Sequence, residues 1–73
     1  MPDLAQRIAR SIRERRQKAG LSQLDLAELA GLSLNHVGLV ERGQRSPSVR
    51  ALERVARALG ADAAELLSRG GGT

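Results

Sequence analysis

The side chains that could do chemistry in this chain are donors for non-covalent recognition rather than reactants. Eleven of the twelve basic residues are arginine, Lys18 being the exception, and the formal net charge is +4. A guanidinium donates in a planar fork that suits phosphate oxygens and the guanine edge. Asn35 supplies an amide, which can bond bidentately to adenine N6 and N7. Bond-making chemistry has no comparable support. His36 is the only histidine and belongs to no Ser/His/acid set of convincing spacing. There is no cysteine, no glycine-rich phosphate loop and no cluster with metal-ligand spacing. Neither an enzyme, nor a metal site, nor a cofactor is expected. A small basic domain points to a polyanionic partner, most often nucleic acid. The accompanying wealth of Ala, Leu and Gly also fits a GC-rich genome, so the arginine bias does not decide the matter alone.

The elements that must position these donors are all helical. Seventy-three residues make one domain, and the absence of Phe, Tyr and Trp leaves Leu, Ile, Val and Ala to pack its core. Helix one is expected from Asp3 to Lys18, with Asp3 and Gln6 as a capping box and Leu4, Ile8 and Ile12 as its apolar stripe. Arg7, Arg10, Arg13 and Arg15 lie off that stripe, and Gly20 stops the helix. Helix two runs from Ser22 to about Ala30, with Ser22 as N-cap, Asp25 at N3, and Leu26, Leu29 and Ala30 as apolar surface. Helix three follows after Gly31-Leu32-Ser33, turns Val37 and Val40 inward, and stops at Gly43. The stretch Gln44-Arg45-Ser46-Pro47 is a loop. Helix four starts near Ser48, presents Val49, Leu52, Val55, Ala56 and Leu59 on one face, and stops at Gly60. A short fifth helix runs from Asp62 through Leu67, with Glu65 completing its cap. Residues 1–69 are read as the domain and Gly70–Thr73 as a flexible tail. The result is a compact all-α, five-helix fold.

Two short helices around Gly31-Leu32-Ser33 have the layout of a helix-turn-helix, which places its second helix in the DNA major groove. With Val37, Val40 and Ser33 defining the inward direction of helix three, Asn35, Gly38 and Arg42 point nearly opposite, and Leu39 lies beside them. Leu34 and His36 take the two flanks. On this geometry Asn35 is the candidate base reader rather than an ordinary exposed amide, Leu34 and Leu39 either pack on thymine methyls or serve the local fold, and Arg42 and Arg45 are either phosphate contacts or solvated surface charges. His36 is either a phosphate donor or a partly packed flank. A mid-helix glycine costs ~1 kcal/mol relative to alanine. Gly38 is therefore either a clearance that lets the helix approach DNA or simply a small-residue position.

The motif Gly20-Leu21-Ser22-Gln23, with Leu26-Ala27, Ala30-Gly31, Ser33 and Val37, is followed by Glu41-Arg42-Gly43, Pro47-Ser48, Leu52 and Ala58-Leu59-Gly60. This combination resembles the lambda-repressor-like, Cro/cI-type helix-turn-helix domains of the xenobiotic-response-element family, over roughly Ile8 to Leu67. The resemblance implies the five-helix lambda-repressor-like domain, a phosphate contact from Gln23, and a structural ion pair between Arg16 and Glu41. Leu34 and Leu39 depart from it, since many relatives carry polar or basic side chains there. It further implies a bacterial or phage transcriptional regulator that binds double-stranded DNA as a homodimer on a palindromic operator, of phage-repressor or restriction–modification controller type. The dimer contact is expected from helices four and five, with Leu66 and Leu67 as candidates, one of the two being equally a candidate for ordinary core packing. Two other readings stay open. One is an antitoxin-like protein-interaction module with a toxin as partner, using an apolar patch at Leu24 and Leu29. The other is a non-specific nucleic-acid binder. The N-terminal segment MPDLAQRIAR lacks a signal-peptide core, and no segment is apolar enough to span a bilayer. A cytoplasmic, nucleoid-associated protein with no membrane partner is expected.

Overall fold

A computed structural model describes residues 3–67 of the chain; the expected tail at 70–73 lies outside the described residues. Five helices follow in order, α1 (Leu4–Lys18), α2 (Gln23–Ala30), α3 (Leu34–Glu41), α4 (Val49–Ala58) and α5 (Ala63–Leu67). No strand occurs among the described residues.

Short polar side chains set where the helices begin. The Asp3, Ser22, Ser33 and Ser48 side chains each accept from the backbone N–H three residues on, satisfying a donor that the first helical turn leaves open. Only at Ser22 is the exchange reciprocal, the Asp25 carboxylate accepting from the Ser22 N–H at 2.9 Å. The box expected at Asp3 is half made. Gln6 instead lies against the turn after α3, its Cγ 3.0 Å from where a Cβ on Gly43 would stand. At α5 the bond runs from the Asp62 N–H to the Glu65 carboxylate at 2.8 Å. Gly31 ends α2 with φ of 70°, a left-handed turn that a side chain would disfavour. That sharp exit lets α3 start three residues later.

The core is aliphatic. Ile8 and Ile12 of α1, Leu26 of α2, Val37 and Val40 of α3, Leu52 and Val55 of α4 and Leu66 of α5 are all buried together. Leu32, in the turn between α2 and α3, packs against them. Several expected core positions are exposed instead. Leu4 and Val49 each begin a helix, where no preceding turn exists to pack against a neighbour, and they are 50% and 74% exposed. Leu29 is 61% exposed because Ala27 and Ala30 occupy the inward side of α2. Conversely, Ala9 and Ser11 are buried on α1 without a periodic signal to mark them.

The expected dimer contact at Leu66 is corrected by its burial. Leu66 is 0% exposed and fills the monomer core where α5 packs on α1 and α4. It has no surface to offer a second chain, whereas Leu67 beside it remains exposed. Truncating a buried leucine removes its transfer free energy and leaves a cavity. Leu66→Ala should therefore cost about 2–5 kcal/mol in urea unfolding, a large share of the stability of so small a domain. Leu67→Ala should stay near the ~0.5 kcal/mol typical of surface changes.

Candidate nucleic-acid interface

The inner side of α3 is organised around one carboxylate. Glu41, at the last turn of α3, is only 2% exposed. A buried carboxylate is tolerated only when paired and hydrogen-bonded. Arg16 on α1 meets it with a two-point fork, Nε to Oε2 at 2.6 Å and Nη2 to Oε1 at 3.0 Å. The third Arg16 nitrogen donates to the Leu21 carbonyl at 2.8 Å, in the turn between α1 and α2. The Gln23 amide, at the start of α2, donates to Oε1 at 3.1 Å. Arg13 closes the group from α1, its Nη1 donating to the Glu41 backbone carbonyl at 2.9 Å. The Glu41 hydrogen bond, reinforced by the Glu41 charge and opposed by partial burial, holds the Arg16 guanidinium above the ordinary arginine range. The end of α3 is thereby tied to α1 and to the first residue of α2.

Arg13 and the tie from Gln23 to Glu41 were not anticipated from the residues alone. Arg13 stands three residues before Arg16, and side chains at that separation share a helix face. That spacing was the available signal. Gln23 was expected to face phosphate, and here one of its amide hydrogens is engaged by Glu41.

The outer side of α3 carries the expected readers unevenly. Ser33, Leu34, Asn35 and Arg42 are exposed, and Leu39 is half-buried. Arg45 is exposed in the turn before α4. Gly38 does not present open space. It is buried, and a Cβ there would come within 3.0 Å of Arg42 Nη1, because the Arg42 guanidinium folds back along the helix. Arg42 Nε donates to Gln44 Oε1 at 3.1 Å, which holds the side chain near the helix end. His36 is half-buried, and its Nε2 is withdrawn from solvent without a hydrogen-bond partner among the described residues. That nitrogen is not placed to meet a phosphate. Among the described residues no group of His, Cys, Asp and Glu could hold a metal ion. No helix among them is long and apolar enough to cross a membrane.

These contacts set three expectations for the isolated protein. Glu41→Ala strands the Arg16 charge in a poorly solvated place and should cost about 3–5 kcal/mol in denaturant unfolding. Gly38→Ala should raise stability by up to ~1 kcal/mol, since alanine favours the helix and Arg42 is a flexible side chain that can yield. Asp25 is held below the usual carboxylate range by the hydrogen bond from the Ser22 backbone and then by that from its side chain. Its contribution is present above the ordinary aspartate value near ~4 and is lost as pH falls through the lower folded value. Protection of the amides in the first turn of α2, taken relative to their intrinsic exchange rates, should therefore fall in acid, and Asp25→Asn should remove that pH dependence.

The chain is similar in sequence and in fold to known proteins. A Helix-turn-helix family model matches residues 12–66. Control protein C.SmaI of Serratia marcescens is 36% identical over 69 residues, which cover 94% of this chain and 82% of that protein. An uncharacterized HTH-type transcriptional regulator of Methanothermobacter thermautotrophicus is 45% identical over 49 residues, covering 67% of this chain and 71% of its own. The crystal structure of the restriction-modification controller protein C.AhdI from Aeromonas hydrophila superposes with a TM-score of 0.82 at 42% identity, over 85% of this chain and 94% of that one. With the family model covering most of the chain, and with α2 and α3 joined by the Gly31 turn, this chain belongs to the Helix-turn-helix family.

Proposed function

We propose that this chain is a transcriptional regulator of the restriction–modification controller type, which binds double-stranded DNA as a homodimer on a palindromic operator. The observation that carries the reading is a helix whose outer side exposes Asn35, with Arg42 exposed at its C-cap, braced from behind by the buried Glu41 group. A helix presented so, with its opposite side anchored in the core, can enter a major groove without losing its place in the fold. The control and controller proteins among its relatives support the regulatory class.

In this reading Asn35 is the principal base reader. Leu34 and Leu39 add apolar contact of the kind thymine methyls accept. Gln23, at the N-terminus of α2, and Arg42 and Arg45, beyond the other end of α3, hold backbone phosphates. Ser33 caps the helix at the groove edge. One helix-turn-helix covers one half-site, so two chains would read half-sites about 34 Å apart. The exposed Leu24 and Leu29 on α2, 51% and 61% exposed, favour a second reading, a protein-interaction module.

Selection of bound duplexes from a random pool, with the mass of the protein measured in solution, tests the proposal directly. A palindromic consensus bound by a dimer is expected. Equal affinity for all sequences with steep salt dependence would instead mark a non-specific binder. Absence of DNA binding at low salt would sink the proposal in favour of the interaction module. Asn35→Ala should relax preference at one base position at a cost of about 1–3 kcal/mol there. Gln23→Ala should weaken all sequences alike, because a phosphate contact carries no base information.

A further inference from the structure

A second basic surface lies beside α3, and of its arginines only Arg42 has a part in the function proposed above. Arg7, Arg10 and Arg13 of α1 and Arg42 line one cleft of about 310 Å³ between α1 and the C-terminal end of α3. Two contacts hold its walls together. Arg13 donates to the Glu41 carbonyl, and Gln6 packs against Gly43. The only carboxylate lining the cleft is Glu41, and its oxygens already accept from Arg16 and Gln23. None of the four arginines has a carboxylate partner among the described residues. Arg7 Nε is buried without a hydrogen-bond partner among the described residues. Guanidinium groups gathered without counter-charges repel one another unless an anion joins them.

We propose that this cleft binds DNA backbone phosphate, so that α1 holds the strand that flanks the half-site read by α3. The inference rests on the DNA-binding reading. Arg42 belongs to both surfaces, which makes the cleft continuous with the outer face of α3. From Arg7 to Arg13 the helix rises about 9 Å. That length reaches about two successive phosphates of one strand, which wind round the duplex and so lie further apart than the ~3.4 Å axial rise per nucleotide. Phosphate contacts of this kind add affinity and orientation without sequence preference.

The test compares the whole chain with Arg7→Gln/Arg10→Gln across a salt series, on the selected duplex and on a random one. Each phosphate contact contributes about 0.9 to the slope of log affinity against log salt. The double variant should lose about 2 from that slope per chain, weaken both duplexes several-fold alike, and lose inhibition by ethylation at a defined set of flanking phosphates. Arg7→Lys/Arg10→Lys should restore most of the slope. Arg54→Gln/Arg57→Gln, in a separate groove between α2 and α4, should leave the ethylation pattern unchanged. Melting temperature separates a folding defect from a binding defect, and Arg10→Gln alone, at an exposed position, should still lose about 1 from the slope. If the unaltered chain binds DNA while the double variant keeps its slope and ethylation pattern, the proposed track is overturned and the DNA-binding reading stands. Failure of the unaltered chain to bind any duplex at low salt overturns both. Saturable binding of inorganic phosphate in the cleft, with the DNA slope unaffected by the variant, also overturns the track.

Discussion

Glu41 is a charge placed where water is scarce, and the rest of this small fold is arranged around that constraint. A buried carboxylate without partners would cost more than a domain of this size can bear. Its partners come from outside its own helix, Arg16 from α1 and Gln23 from α2, while Arg16 also binds the Leu21 carbonyl between them. Such pairs add little net stability compared with apolar packing. What they specify is position. Aliphatic side chains in the core tolerate sliding and rotation by small amounts, but a forked guanidinium–carboxylate bond does not. The angle at which α3 stands to α1 is therefore set by polar geometry laid over an aliphatic core.

That positioning gives α3 two dissimilar ends. Near its N-terminus, Leu34 and Asn35 are exposed beside the cap at Ser33. Near its C-terminus, Gly38 is covered by the Arg42 guanidinium, and the polar character comes from arginine and from the turn that follows. In the function proposed above, base reading therefore falls mainly to the first turn of α3, and phosphate holding to its other end and beyond. An interface built this way draws much of its affinity from phosphates and reads few bases directly, leaving more of its selectivity to DNA shape.

Helix boundaries were legible in the sequence because caps are local. Ser22, Ser33 and Ser48 each bond to a backbone group three residues away, and Gly31 and Gly43 end helices through their own φ angles. Nothing distant is needed for either. Apolar periodicity was a weaker guide. It gives the direction in which a side chain leaves a helix but not whether a neighbour waits there. Leu4 and Val49 point along plausible faces and meet solvent, since each stands on a first turn. Leu66 shows the reverse, a residue on a five-residue helix too short for periodicity to place, and wholly enclosed.

By itself, the sequence determined the number of helices, their ends, the turn that joins α2 to α3, and which residues could face a groove. All of these follow from short-range backbone chemistry and helical pitch, helped by a family pattern spread over most of the chain. Only the tertiary structure decided what the long side chains do. Arg13, Gln23 and His36 could each have faced solvent or a ligand, and their reach exceeds what spacing along a helix constrains. Packing α1 against the end of α3 turned Arg13 and Gln23 toward Glu41, drew His36 Nε2 inward, laid Arg42 over Gly38 and left a basic cleft beside them. Those outcomes depend on which helices meet and at what angle, and that is a property of the assembled core.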